Sequence, residues 1–293
     1  MTAVAAAAVR AVSLPWRDLL VLLKLRIASL IVTVALAAAV AAGETDARRL
    51  LVLALACAAA STGAGALNHY LDRHLDARMA RTASRPLPSG RIARPGVALV
   101  LGVLLVAVSQ TAAPVLGIGA ALFLLAGALT YVVVYTWWLK PRSPWSVVWG
   151  GAAGSFAALA GWQTGGSVWT PGAQLLALVL FLWTPSHFWS LAIRLERDYR
   201  TARVPMLSVV AGARRTAEVV FANTLALVAS SLALAAFAGP LYLVLAAPAG
   251  AWFLVAAARL RRRPEPDVAF SCFKLSGLYL LLVLAGLVLS ALA

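Results

Sequence analysis

The stretch VALVLGVLLVAVSQTAAPVLGIGAALFLLAGALTYVVVYTWW, residues 97–138, carries no charged side chain. A helix crosses ~30 Å of hydrocarbon in about 20 residues, so this run is too long for one crossing and reads as two spans joined near Pro114. Comparable apolar runs lie on both sides. The expected spans are 27–43, 50–70, 97–113, 115–138, 145–163, 171–193, 216–238, 240–258 and 268–292. The fold class is therefore an all-α polytopic membrane protein with about nine transmembrane helices, forming a single domain over 1–293.

Composition agrees with that reading. The 293 residues are 62% hydrophobic and 12% charged, with a mean hydropathy of +0.90, whereas soluble domains are about 45–50% apolar and about 25% charged. Disorder, a secreted disulfide scaffold and a soluble enzyme are excluded. Cys57 and Cys272 sit singly in apolar runs with no Cys or His at metal-ligand spacing, so they read as small core residues.

The net charge of +15 could suggest nucleic acid, but the placement of the 25 Lys and Arg argues otherwise. They cluster before the first span, in 71–95, in 139–144, in 194–215 and in 259–263, while only Arg48 and Arg49 fall on the opposite side. Cytoplasmic Lys and Arg orient membrane helices, so the basic balance reports topology: N-terminus cytoplasmic, C-terminus extracytoplasmic, and no nucleic-acid partner. Residues 1–13 show no removable signal peptide. Residues 1–26 read as a cytoplasmic segment ending in an interfacial helix over Trp16 to Arg26.

A weak internal symmetry is present. Lys24-Leu25-Arg26 precedes the first span and Lys140-Pro141-Arg142 the fifth; the long polar loops 71–95 and 194–215 follow the second and the sixth. The chain thus reads as two pseudo-repeated four-helix halves plus a final helix, and repeat-built bundles place ligands between their halves. Short K-x-R strings at helix starts also recur by chance.

The strongest chemical signal is Asn68, Asp72 and Asp76, spaced by four where the second span ends. Steps of four keep side chains on one helical face, here a stripe of oxygen ligands that suits a hard cation such as Mg²⁺. Arg78, Arg81, Thr82, Arg85 and Arg91 follow closely and could hold a diphosphate. Acids that merely balance a basic loop are the plainer reading; against it, like charges at this spacing repel unless a cation lies between them.

The run from Asn68 through Asp72, Asp76, Met79, Arg81, Thr82 and Arg85-Pro86-Leu87 resembles the first aspartate-rich motif of the intramembrane prenyltransferases of UbiA type. Its trailing M-x-R-T-x-x-R-P-L is similar to that of the protoheme IX farnesyltransferases, the haem O synthases. Tyr135-Thr136 through Lys140 and Arg142, Gly150-Gly151 with Gly154, and Gly161-Trp162 resemble that group's middle region. Ser186-His187-Phe188-Trp189 to Arg194, Asp198-Tyr199-Arg200 and Val204-Pro205-Met206-Leu207 resemble its second motif. The resemblance covers residues 15 to about 215.

It implies farnesyl transfer from farnesyl diphosphate to a vinyl group of haem b, giving haem O for haem-copper oxidases in the cell membrane. Mg²⁺ would be the cofactor, held by Asn68, Asp72 and Asp76, with Asp198 facing them. Lys24, Arg26, Arg81, Arg85, Lys140, Arg142, Arg194 and Arg200 would bind diphosphate, His187 or His69 would approach haem, and Tyr70, Tyr135, Trp162, Phe188 and Trp189 would stabilise an allylic cation. Membrane lipid surrounds the chain, and haem A synthase or oxidase assembly factors are conceivable partners. Where relatives carry a second acidic pair, Asp198 has Arg194 four before it and Ala202 four after, which implies one dominant metal ion. His74 and Leu25 also depart from the pattern. The rival readings are a quinone-precursor or chlorophyllide acceptor and a secondary transporter; carriers place ionisable residues near the midplane, and here they gather at helix ends.

Overall fold

The computed structural model describes residues 16–293; the reading of residues 1–13 lies outside the described residues. Helices follow one another without a strand among the described residues: α1 Trp16–Leu23, α2 Leu25–Ala41, α3 Ala47–Asp76, α4 Gly96–Gln110, α5 Ala113–Leu116 and α6 Ile118–Leu129, which continues as a π-helix over Thr130–Leu139. Then come α7 Ser146–Gly165, α8 Pro171–Arg194, α9 Glu196–Thr201, α10 Leu207–Val210, α11 Gly212–Ala233, α12 Ala235–Ala238, α13 Pro240–Arg262 and α14 Pro266–Leu292. In lipid every backbone amide must be satisfied within its own segment, and this favours an all-helical chain.

Seven of these helical segments are long and apolar enough to cross a membrane, eight if α1 and α2, bent by 45° at Lys24, count as one. The protein is thus a multi-pass membrane protein. The count differs from the nine expected because α7, in place of the fifth span, is rich in glycine and ends in Trp162-Gln163-Thr164. What α7 gives up in apolarity it gains in close packing. A Cβ on Gly161 would lie 2.0 Å from the Ala35 carbonyl oxygen of α2, and one on Gly150 would lie 2.8 Å from the Tyr135 ring. Small residues let membrane helices approach at backbone distance. The α3–α4 hairpin uses the same device, with Gly63 and Gly102 facing each other.

Turns at 42–46, 117, 166–170 and 239 join helices at one end of the bundle, and the segments 77–95, 140–145, 195–211 and 263–265 join them at the other. Through this alternation the C-terminal ends of α3, of the π-helix and of α8 share one end. At about 45 Å, the 30 residues of α3 exceed the ~30 Å of hydrocarbon, so its last turns can carry polar groups.

Candidate active site

Asn68, Asp72 and Asp76 lie on one face of α3, as their spacing predicts, and all are buried. Unpaired charges would be prohibitively costly there, and each acid has a cationic partner. Lys140 bonds Asp72 Oδ2, which also accepts from Asn68 Nδ2 at 2.9 Å; Arg85 Nη1 bonds Asp76 Oδ2 at 2.7 Å. Lys24 bonds Asn68 Oδ1 and, at 3.1 Å, the Tyr131 hydroxyl. Neither Asp72 nor Asp76 uses Oδ1 in a hydrogen bond among the described residues, so each keeps an oxygen available to a ligand.

The two K-x-R strings divide in the same way. Lys24, between α1 and α2, and Lys140, after the π-helix, both reach the stripe, whereas Arg26 and Arg142 are exposed, Arg142 donating to the carbonyls of Trp137 and Trp138. Backbone geometry accounts for the lysines. Lys24 breaks α1 from α2 with φ 49 and ψ 46, a left-handed conformation that turns its side chain into the bundle. That conformation costs a non-glycine residue roughly 1 kcal/mol, and Lys24 retains it with two hydrogen-bond partners.

Lys140 follows ten residues of π-helix, with its amide bonded to Tyr135 O at 2.8 Å and Thr136 Oγ1 to Tyr131 O at 2.8 Å. The wide winding brings Tyr131, Tyr135, Thr136 and Lys140 to one side, and π segments often mark functional positions. Thr136 accepts from Asn68 at 2.9 Å, and the Tyr131 and Tyr135 rings stack at 5.8 Å. Sequence reasoning missed Tyr131, although its spacing of four from Tyr135 was a usable signal. We expect Lys24→Met and Lys140→Met to raise the KM for prenyl diphosphate at least about tenfold, and Arg26→Gln and Arg142→Gln to change it less than about threefold; steady-state kinetics on purified variants tests this ranking.

The second loop meets the first through Arg81, whose Nε lies 3.4 Å from Asp198 and whose guanidinium covers the Tyr199 ring at 5.7 Å. Burial pushes the Tyr199 phenol up, and the nearby Arg81 charge opposes that shift. Arg194 and Arg200 are not brought to the stripe. Arg194 pairs with Asp267 of α14 at 2.7 Å, and Arg200 with Glu196 on the surface. The cause is the end of α8 at Leu195, where φ −108 and ψ 22 break the helix and remove Arg194 from the face of Asp198.

The aromatic residues are also divided. Tyr135 meets the Phe188 ring at 6.4 Å beside the stripe. Trp189 packs edge-on against Trp145 at 5.7 Å, Tyr70 carries Arg73 at 4.5 Å on the side of α1, and Trp162 sits about 24 Å along α7 from its start, at the opposite end of the bundle. His69 belongs to the stripe, with Nδ1 3.9 Å from Asp76. His187 does not; it faces α14.

A buried row of carboxylates, amines and an amide at one end of an apolar bundle belongs to an enzyme that handles a charged head group on a greasy chain. Residues 29–290 match the UbiA prenyltransferase family, and the chain belongs to it. It is 47% identical over 231 residues to Protoheme IX farnesyltransferase 2 of Paramagnetospirillum magneticum, covering 78% of this chain and 80% of the relative. It is 41% identical over 290 residues to Protoheme IX farnesyltransferase of Rhizorhabdus wittichii, covering 94% and 93%. Within the family it groups with the protoheme IX farnesyltransferases.

Its fold is that of a structure from work on digeranylgeranylglyceryl phosphate synthase in membranes, with a TM-score of 0.77 at 19% identity, covering 94% of this chain and 98% of the other. A UbiA homolog from Archaeoglobus fulgidus bound to DMAPP and Mg²⁺ gives 0.69 at 16% identity, covering 92% and 99%.

Proposed function

We propose that the protein transfers the farnesyl group of farnesyl diphosphate to a vinyl group of haem b, forming haem O, with the α3 stripe as the diphosphate site. The observation that carries this reading is the convergence of Lys24 and Lys140 on Asn68 and Asp72. The names of the relatives support the acceptor.

The charges also favour Mg²⁺. Two acids and three cations, Lys24, Lys140 and Arg85, leave the cluster one positive; a triply charged diphosphate would turn it two negative, and a single divalent ion restores neutrality. Asp72 and Asp76, each with an oxygen to spare, fit such an ion, and Asn68 holds Asp72 in place. When bound, Mg²⁺ would supply charge against the departing diphosphate. The chain's own part is to fix the diphosphate with Lys24, Lys140, Arg85 and Arg81 so that the allylic C–O bond breaks with its electrons leaving on oxygen. Tyr135 and Phe188 offer ring faces to the allylic cation and exclude water from it. A vinyl carbon then forms the C–C bond, and the resulting haem-side cation takes a hydroxyl from water, releasing a proton.

Orientation with the N-terminus cytoplasmic would place this site in the cytoplasmic half of the cell membrane. Membranes containing the protein, incubated with farnesyl diphosphate, Mg²⁺ and haem b, are expected to yield haem O by mass, with yield lost under excess EDTA. Product with a quinone precursor but none with haem b would overturn the acceptor. Full activity in EDTA would overturn the metal. Asn68→Ala should reduce turnover about tenfold, because Asp72 loses one hydrogen bond but keeps Lys140.

A further inference from the structure

Away from the stripe, on the face of α8 that meets α14, the rings of Trp183, His187, Phe273 and Phe270 follow one another. His187 lies 4.3 Å from Trp183 on one side and 4.3 Å from Phe273 on the other, and Phe273 stacks on Phe270 at 5.9 Å. Clamped on both faces, the imidazole cannot swing. Ser276 Oγ lies 2.6 Å from the Phe273 carbonyl and 2.6 Å from His187 Nδ1. When it donates to the carbonyl it accepts from Nδ1–H, which leaves the lone pair on Nε2, the form in which a neutral histidine binds a metal.

Nε2 makes no hydrogen bond among the described residues; the polar contact of the ring is Nδ1 with Ser276. The bond between Nδ1 and Ser276 already ties α8 to α14, so helix packing leaves Nε2 unused. On the same helix as Phe273, one turn further on, a Cβ on Gly277 would meet nothing within 4 Å. Two cations flank the row. Lys274 lies 5.2 Å from the Phe270 ring centre with no acidic partner among the described residues, and Arg194 lies 5.9 Å from it, paired only with the exposed Asp267. Neither takes part in the α3 stripe.

We propose that this face binds the tetrapyrrole acceptor, with His187 Nε2 as an axial ligand to the iron and with Lys274 and Arg194 taking the propionates. An axial imidazole stands upright to the macrocycle, so the macrocycle lies across the edges of Trp183 and Phe273 and its carboxylates extend towards the cations. Phe188, the next residue on α8, faces Tyr135 and the diphosphate side, so one helix presents the acceptor on one face and the allylic group on the next. Pro185, just before this pair, removes the amide that would bond the Phe181 carbonyl, and Asn223 of α11 donates to the neighbouring Leu182 carbonyl at 2.6 Å.

This inference rests on haem b being the acceptor, and the test separates the two. Ferric haem b and, separately, iron-free protoporphyrin IX are titrated into the full chain in lipid nanodiscs, followed by Soret absorbance and by porphyrin fluorescence. The wild type is expected to give a histidine-ligated Soret band. His187→Asn, which keeps a donor for Ser276, should lose that band and bind haem at least about tenfold more weakly while binding the iron-free porphyrin normally. Lys274→Gln should weaken both ligands severalfold. A wild-type spectrum and affinity in His187→Asn overturns the ligand. Haem O formation by a wild type that never perturbs the haem spectrum overturns this site and leaves the proposed reaction standing, whereas binding without any haem O overturns the reaction and supports the site.

Discussion

Asp72→Asn is expected to lower farnesyl transfer by about 10²-fold or more, with Asp76→Asn close behind, while both proteins still insert and fold. Each change removes one charge from a buried row in which every acid faces a cation, so Lys140 or Arg85 loses the group it neutralises. Losing one partner of a buried pair ordinarily costs about 3–5 kcal/mol, but the isosteric amide retains a hydrogen-bond acceptor and the shape of the site. Stability should therefore fall less than activity. The loss in turnover comes from weaker stabilisation of the departing diphosphate, for which about 10²–10³-fold per lost electrostatic contact is typical. Turnover by mass detection, together with thermal unfolding in detergent, checks both halves, and normal turnover at saturating Mg²⁺ in either variant would remove the stripe from the mechanism.

Gly161→Val is expected to have the largest effect on folding. The new side chain would begin 2.0 Å from the Ala35 carbonyl, a contact with backbone that no rotamer relieves, so α2 and α7 must separate. Overpacking in a tight core costs typically 1–3 kcal/mol, and separating two long helices should exceed that. Gly277→Val, at an open position, is the control and should keep the wild-type melting temperature. A Gly161→Val protein with wild-type yield and melting would mean that the α2–α7 approach does not support the bundle. The two lysines of the stripe depend on that approach: α2 follows Lys24 directly, and α7 begins just after Lys140.

The membrane class, the helix positions and the α3 stripe were legible in the sequence because each depends on local order alone. Apolar length sets a span, and residues spaced by four share a helical face whatever surrounds them, so Asn68, Asp72 and Asp76 had to align. Most of the rest was not local. The K-x-R strings marked Lys24 and Lys140 but gave Arg26 and Arg142 equal standing; a left-handed residue and a π-helix, both features of backbone conformation, decided that the lysines turn inward. Arg194 read as a diphosphate ligand because it stands four before Asp198, yet α8 ends between them and α14 offers Asp267. Trp162 matched a family pattern but lies at the far end of α7. Partners far apart in the chain, such as Lys140 with Asp72 across 68 positions and His187 with Ser276 across 89, are chosen by helix packing, because their separation in sequence carries no information about distance in space.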